Sequence, residues 1–314
     1  MTLRDELEAA FGAGRLRADV PLAPLTAFKV GGPAEWMFEP RGSGELQRAF
    51  TAASRAGARV TILGGGSNVV VSDRGVRGLV LRIRGGDIAR VRDGPVRADA
   101  GVTLNGLVRW TISRGLSGLE TWAGTPGTVG GAVHGNAHFQ GRLIGDQIEA
   151  VGLISPDGTL AEVPGERMEF GYDRSRLQRT REIVAWAAFR VGQGDPASLR
   201  VVARQSLRFR KQTQPLALPS GGCVFQNPDP ARDILPAGVP PSAGALIDRA
   251  GMKGARIGGA LVSPVHANFI VNAGGATAAE VRALIERCRR AVRDRFGVTL
   301  RDELIYLGEF DDAG

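Results

Sequence analysis

The stretch TILGGGSNVVVSD, Thr61 to Asp73, decides how this chain is read. Apolar runs lie on both sides of Gly64, Gly65, Gly66, Ser67 and Asn68, so one strand enters the glycines and another begins at Val69. Three successive glycines remove every β-carbon that would block an anion, and consecutive N–H groups can curl around a phosphate. The run is not a Rossmann fingerprint, because its last-glycine position is Val69 and a strand follows. It is not a P-loop either, because no Gly-Lys-Ser/Thr sequence occurs. Alone, it fits a tight turn as well as a phosphate nest.

Working outward, AEWMFEP reads as a strand, Leu46 to Ala53 as an amphipathic helix closed by Gly57, and RVTIL as the next strand, a βαβ-like unit. A second region, Gly78 to Val191, has strands GLVLRI and PVRADAGV and a helix with Leu104, Leu107, Val108 and Ile112 at helical spacing. It continues with a hairpin turning at Pro156-Asp157-Gly158 and a buried strand IVAWAAF. The polar bend GQGDPAS leads into a third region. That region ends in a helix signalled by a Thr277/Glu280 capping box, an apolar face that includes Cys288, and a stop at Gly297. The fold class is α+β.

Length and composition agree. The 314 residues suffice for two or three domains, and 45 glycines without a period mean tight turns rather than a fibre. Two cysteines give no disulfide framework and too few soft ligands for a structural zinc site, so a reducing compartment and no metal are expected. No apolar run approaches the roughly 20 residues of a membrane span, and the N-terminus lacks a secretory pattern; a cytoplasmic location is expected. The formal charge of +8 comes from 37 arginines and three lysines scattered without aromatic interleaving, which argues against nucleic acid. Arg200, Arg204 and Arg208, with Arg210 and Lys211, form a basic helical stripe, either a solvated face or part of an anion site.

A second glycine-rich run, WAGTPGTVGGAVHGNA from Trp122 to Ala137, carries so little side-chain bulk that backbone must lie against something flat or charged; close packing between elements is the alternative. A third motif, PSGGCVFQNP, sets Cys223 behind two glycines in a segment that punctuates like a loop, unlike Cys288 on its apolar helix face.

These motifs occur in order with LTAFKVGGPAE, FGYDRSR, AGMKGARIGGALVSPVHANFIVN and LRDELIYLGE, and together they resemble the UDP-N-acetylenolpyruvoylglucosamine reductases over almost the whole chain. The short spacer between FGYDRSR and SGGCVFQNP resembles the subtype without an extra substrate-capping segment. The resemblance implies a two-subdomain FAD-binding fold of the vanillyl-alcohol-oxidase type plus an α/β C-terminal substrate domain. On this sequence that means residues 1–77, joined by the C-terminal strand 300–310, then 78–195, then 196–299. It implies non-covalent FAD held by Leu63, Gly64, Gly65, Gly66, Ser67 and Asn68 and by Gly124, Thr125, Pro126, Gly127, Gly130, Gly131 and Asn136. His134 and His138 are read as loop residues, not flavin attachment points.

The reaction implied is NADPH-dependent reduction of the enolpyruvyl ether of a UDP-sugar in peptidoglycan precursor synthesis. Cys223 stands where the family has a serine acid, and a thiol near pKa ~8.5 is the better proton donor. Arg174 takes the cationic role, with Arg176 as stand-in, because the family's arginine directly after the tyrosine is Asp173 here. A one-residue shift turns a side chain to the other face of an extended segment, so Arg174 serves only if the backbone bends there. Glu303 matches the family's second acid. Lys211, Gln214, Gln226, Asn227, Lys253 and His266 are candidates for the UDP-sugar. A monomer with no nucleic-acid or membrane partner is expected. Two other readings remain open at this point: an FAD oxidoreductase of the same fold acting on another substrate, and a colourless nucleotide or RNA binder.

Overall fold

The computed structural model describes residues 2–310, which fall into two compact units that the chain visits more than once. The first gathers the residues up to Val20, Glu35–Gly65 and Arg77–Phe209. The second gathers Pro21–Ala34, Gly66–Val76 and the residues from Arg210 onward. Each has its own hydrophobic core.

In the first unit the βαβ-like pattern produces the helix Ser43–Arg55, which buries Leu46, Ala49, Phe50 and Ala53 at helical spacing. The strands Val60–Leu63 and Val76–Arg82 pair in parallel, with Leu63 opposite Arg82. A five-stranded antiparallel sheet follows in the order Leu160–Pro164, Ile148–Ile154, Ile183–Phe189, Val96–Asp99, Ile88–Arg90. Every residue of Ile183–Phe189 is buried, because the helices Val129–His134 and Ser43–Arg55 both contact that strand. This is why its sequence is an unbroken apolar run rather than an alternation. Each large side chain so buried contributes roughly 1.5–3 kcal/mol.

In the second unit a four-stranded antiparallel sheet runs Ser220–Cys223, Phe269–Asn272, Ala260–Val262, Arg256–Ile257, with the helix Ala278–Phe296 packed on its last two strands. The segment read from sequence as a loop around Cys223 is therefore an edge strand. Its glycines had masked it, and a register shift between Ser220 and Cys223 marks a bulge. The C-terminal strand Ile305–Leu307 pairs in parallel with Val69–Val71, the strand that leaves the first glycine run. Gly31 and Gly32 make room for this strand: a β-carbon on Gly32 would lie 2.3 Å from the Asp73 carbonyl oxygen.

The helix Ala278–Phe296 has the expected capping box at Thr277 and Glu280 and ends at left-handed Gly297. Asp73, distant in sequence, adds a further cap, since its carboxylate accepts from the N–H groups of Ala278 at 2.8 Å and Ala279 at 2.9 Å. An anion there satisfies two orphan donors and complements the helix dipole. Among the described residues no helix is long and apolar enough to cross a membrane.

Removing that cap should be measurable. Asp73→Ala should lower stability by about 1.5–3 kcal/mol, the usual value of a hydrogen bond to a charged group, read as an earlier urea midpoint. An unchanged midpoint would show that the helix start does not depend on Asp73.

Candidate functional site

In the first unit the two glycine-rich runs meet. A β-carbon on Gly65 would sit 2.7 Å from the Gly127 α-carbon, and one on Gly64 would sit 2.5 Å from Thr128 Oγ1. Only bare backbone allows that approach. Gly124 and Gly127 are left-handed at φ +78° and +99°, so the chain doubles back between Trp122 and the helix Val129–His134. Asn105 Oδ1 receives the Gly124 N–H, and the Gly127 carbonyl receives that of Leu104. Thr125 is half-buried with its N–H on the Trp122 carbonyl, and Pro126 is exposed.

The remaining residues of the runs divide into those that pack and those left open. Leu63 ends its strand with a buried side chain. Gly130 serves packing, its N–H on the Ala100 carbonyl and its α-carbon against Ala100, while Gly131 stands within the same short helix. Thus the second run is partly the close packing considered as an alternative. Among the described residues, however, the N–H groups of Gly65, Gly66 and Ser67 donate to no protein acceptor, and buried Trp122 Nε1 has no partner. A run of open backbone donors beside bare backbone fits the pyrophosphate of a dinucleotide such as FAD.

Asn136 was expected among the cofactor contacts, but both ends of its fully buried side chain are engaged by backbone. Its Nδ2 donates to the Gly171 carbonyl at 2.7 Å, and its Oδ1 accepts from Gly145 N–H at 2.8 Å. It holds the turn that carries Arg174. That turn bends sharply: Gly171 and Arg174 exchange backbone hydrogen bonds of 2.9 and 3.1 Å around left-handed Asp173. Asp173 Oδ1 lies 3.0 Å from His138 Nδ1, and Ser175 Oγ donates to the His134 carbonyl at 2.6 Å. Burial lowers the His134 imidazole pKa, so it is neutral at physiological pH. The bend supplies what a displaced arginine needs. Arg174 is exposed, whereas Arg176 is committed to a two-pronged ion pair with Glu182 at 3.0 and 2.9 Å.

In the second unit the structure brings Asn68, Cys223 and Glu303 into one backbone network. Glu303 N–H donates to the Val224 carbonyl at 2.9 Å, Gln226 N–H donates to Arg301, and Phe225 bridges Asp302. Asn68 Nδ2 donates to the Glu303 carbonyl at 3.0 Å. Buried Asn268, which sequence reasoning passed over, holds the chain just beyond Cys223. Its side chain accepts from Phe225 N–H at 2.9 Å and donates to the Phe225 carbonyl at 2.7 Å. Gly66 supports the same region, left-handed at φ +62° with its carbonyl on Ala27 N–H, and Ser67 is half-buried beside it.

The expected sugar contacts are less uniform. Lys211 is exposed and Gln214 and Gln226 are half-buried, all without a fixed side-chain partner among the described residues. Asn227 accepts from Ala243 N–H at the start of a short helix, and Lys253 pairs with Asp248 at 2.7 Å. Burial, then the Lys253 charge, holds the His266 imidazole below its usual pKa. Arg210, grouped in the sequence with a basic stripe that could be a solvated face or part of an anion site, is 7% exposed. Burial draws its guanidinium down to about 10, and its charge acts on Cys223. The signal was in the sequence, because Leu199, Ala203, Ser206 and Arg210 repeat at helical spacing and all are buried.

Residues 34–164 match the FAD binding domain, and residues 214–307 match the UDP-N-acetylenolpyruvoylglucosamine reductase C-terminal domain. The open donors and these matches define an FAD-dependent oxidoreductase. A relative from Synechococcus sp. (strain JA-3-3Ab), a UDP-N-acetylenolpyruvoylglucosamine reductase, is 41% identical over 304 residues, covering 96% of this chain and 94% of its own. One from Symbiobacterium thermophilum, UDP-N-acetylenolpyruvoylglucosamine reductase 2, is 43% identical over 93% of this chain and 92% of its own. The solved reductase of Thermus caldophilus superposes with a TM-score of 0.76 at 33% identity, covering 93% of this chain and 99% of that one. The chain belongs to the UDP-N-acetylenolpyruvoylglucosamine reductase family.

Two outcomes follow from the geometry. Gly65→Ala forces a β-carbon onto the Gly127 backbone, so FAD should bind at least about tenfold more weakly, a change of ~1.4 kcal/mol, when apoprotein is titrated with FAD; unchanged affinity would separate that contact from the cofactor. Cys288 is 1% exposed with its thiol pushed up to about 12 by burial. Native protein should therefore be alkylated at Cys223 alone, and Cys223→Ser should abolish the labelling seen by mass spectrometry.

Proposed function

We propose that this enzyme reduces the enolpyruvyl ether of UDP-N-acetylglucosamine to UDP-N-acetylmuramate with NADPH, as a cytoplasmic monomer in peptidoglycan precursor synthesis. FAD held by the two glycine-rich runs would supply hydride chemistry, so that reducing equivalents from NADPH reach the terminal carbon of the enol. The neighbouring carbon then carries negative charge shared with the substrate carboxylate, and this chain must stabilise that charge and protonate that carbon.

Arg174, presented by its bent turn, stabilises the carboxylate, a contribution on the order of 3 kcal/mol for one well-aimed group. Cys223 gives its thiol proton to the carbon, and Glu303 orients the carboxyl group beside it. Leu63 to Asn68 and Gly124 to Gly131 hold the dinucleotide, while Lys211, Gln214, Gln226, Asn227, Lys253 and His266 receive the UDP-sugar. The observation that carries this reading is the backbone pairing that sets Glu303 next to Val224, immediately after Cys223. Arg210 is the counterweight. A buried cation favours thiolate, which is a base, so turnover should fall as pH rises and the thiol ionises.

Single-turnover reoxidation of the reduced enzyme by the enolpyruvyl sugar tests the assignment. Cys223→Ala should slow it by ~100-fold or more, the usual worth of a general acid. Cys223→Ser should retain substantial rate and lose the alkaline decline. Wild-type rates in Cys223→Ala would remove Cys223 from the chemistry.

A further inference from the structure

We infer that Arg289 is a positioning residue for the acid pair, fixing the register between the segment that follows Cys223 and the segment that carries Glu303. The inference rests on the roles given to those two residues above.

Arg289 lies on the helix Ala278–Phe296. Its Nη1 donates to the Leu300 carbonyl at 2.7 Å and its Nη2 to Asp302 Oδ1 at 2.7 Å, while Nε and Nη2 each reach Glu286 at 3.1 Å. The same guanidinium sits 5.3 Å from the centre of the Phe225 ring. One planar group therefore touches the chain on both sides of the pairing: twice just before Glu303, and once on the residue two beyond Cys223.

That pairing needs an external clamp. It consists of the single bridge Phe225 to Asp302 with flanking hydrogen bonds, not a continuous ladder. On its N-terminal side stand left-handed Gly222 at φ +87° and the bulge between Ser220 and Cys223, which interrupt the regular ladder to Phe269–Asn272. A slip of one residue turns every side chain to the other face, which would exchange Glu303 for a neighbour. A guanidinium can serve the Leu300 carbonyl and the Asp302 carboxylate at once because its donors form a rigid fork.

The surroundings fit a positional role better than a purely stabilising one. Burial raises the Asp302 carboxyl above its usual pKa, and Arg289 only partly offsets that; Glu286 and Arg282 from the helix and the Tyr306 hydroxyl also face it. A half-buried ion pair of this kind is weak evidence for stability, and fixing one arrangement over others is the role inferred for it here.

Arg289→Met, Arg289→Lys and Asp302→Asn holoenzymes, with flavin content and urea midpoint recorded for each, are compared anaerobically by stopped flow. Reduction of the flavin by NADPH, which uses neither Cys223 nor Glu303, should match wild type. Reoxidation by the enolpyruvyl sugar should slow by at least about tenfold in both Arg289 variants, the scale expected of a misplaced reacting group. A lysine cannot hold both acceptors and should not restore the rate. Asp302→Asn should slow the same step, and Arg289→Met combined with it should add less than the product of the single effects. Wild-type reoxidation in Arg289→Met, full rescue by lysine, or equal slowing of both half-reactions would overturn the inference. A wild-type enzyme whose reduced flavin ignores the sugar would instead overturn the functional reading on which it stands.

Discussion

Backbone laid directly on backbone is the constraint on which this molecule depends. Where Gly65 meets Gly127 no side chain fits, and among the described residues the N–H groups of Gly65, Gly66 and Ser67 have no protein acceptor. For the buried Gly66 and half-buried Ser67, such a donor carries a cost unless an anion or water takes it. A dinucleotide pyrophosphate would remove that cost, which is why the proposed cofactor site and the loop packing go together. The same logic recurs at Gly31 and Gly32, which let a neighbouring strand pass.

A second theme is the use of side chains as substitutes for β-ladder partners. Asn136 ties Gly171 to Gly145, Asn268 grips Phe225 where the strand Ser220–Cys223 has ended, and Asn68 holds the Glu303 carbonyl. Amides offer a donor and an acceptor in the geometry of a peptide group, which is why irregular backbone near functional residues is stitched by asparagine here. These contacts replace the regular hydrogen bonding that a bend or bulge removes.

Much of this was legible in the sequence, for definite reasons. Periodicity located the helices Ser43–Arg55 and Ala278–Phe296, capping chemistry fixed the ends of the latter, and an unbroken apolar run identified the central strand Ile183–Phe189. The glycine runs announced close backbone approach. What stayed hidden needed contacts between residues far apart in the chain. Asp73 caps a helix some two hundred residues on, Arg176 is occupied by Glu182, and the edge strand at Cys223 is concealed by its own glycines. Asn136 entered as a cofactor contact through the family resemblance, and its hydrogen bonds give it a structural task that no local pattern announces. Arg210 was hidden differently: the exposed stripe of arginines drew the eye from the buried face of the same helix.

The most direct measurement of the whole account is an anaerobic titration of the purified wild-type protein followed by its flavin absorbance. The account predicts a yellow protein whose colour is released on denaturation, is bleached by NADPH, and returns when UDP-N-acetylglucosamine enolpyruvyl ether is added. A colourless protein that takes up no FAD, or a bleached one that the sugar leaves bleached, would contradict it.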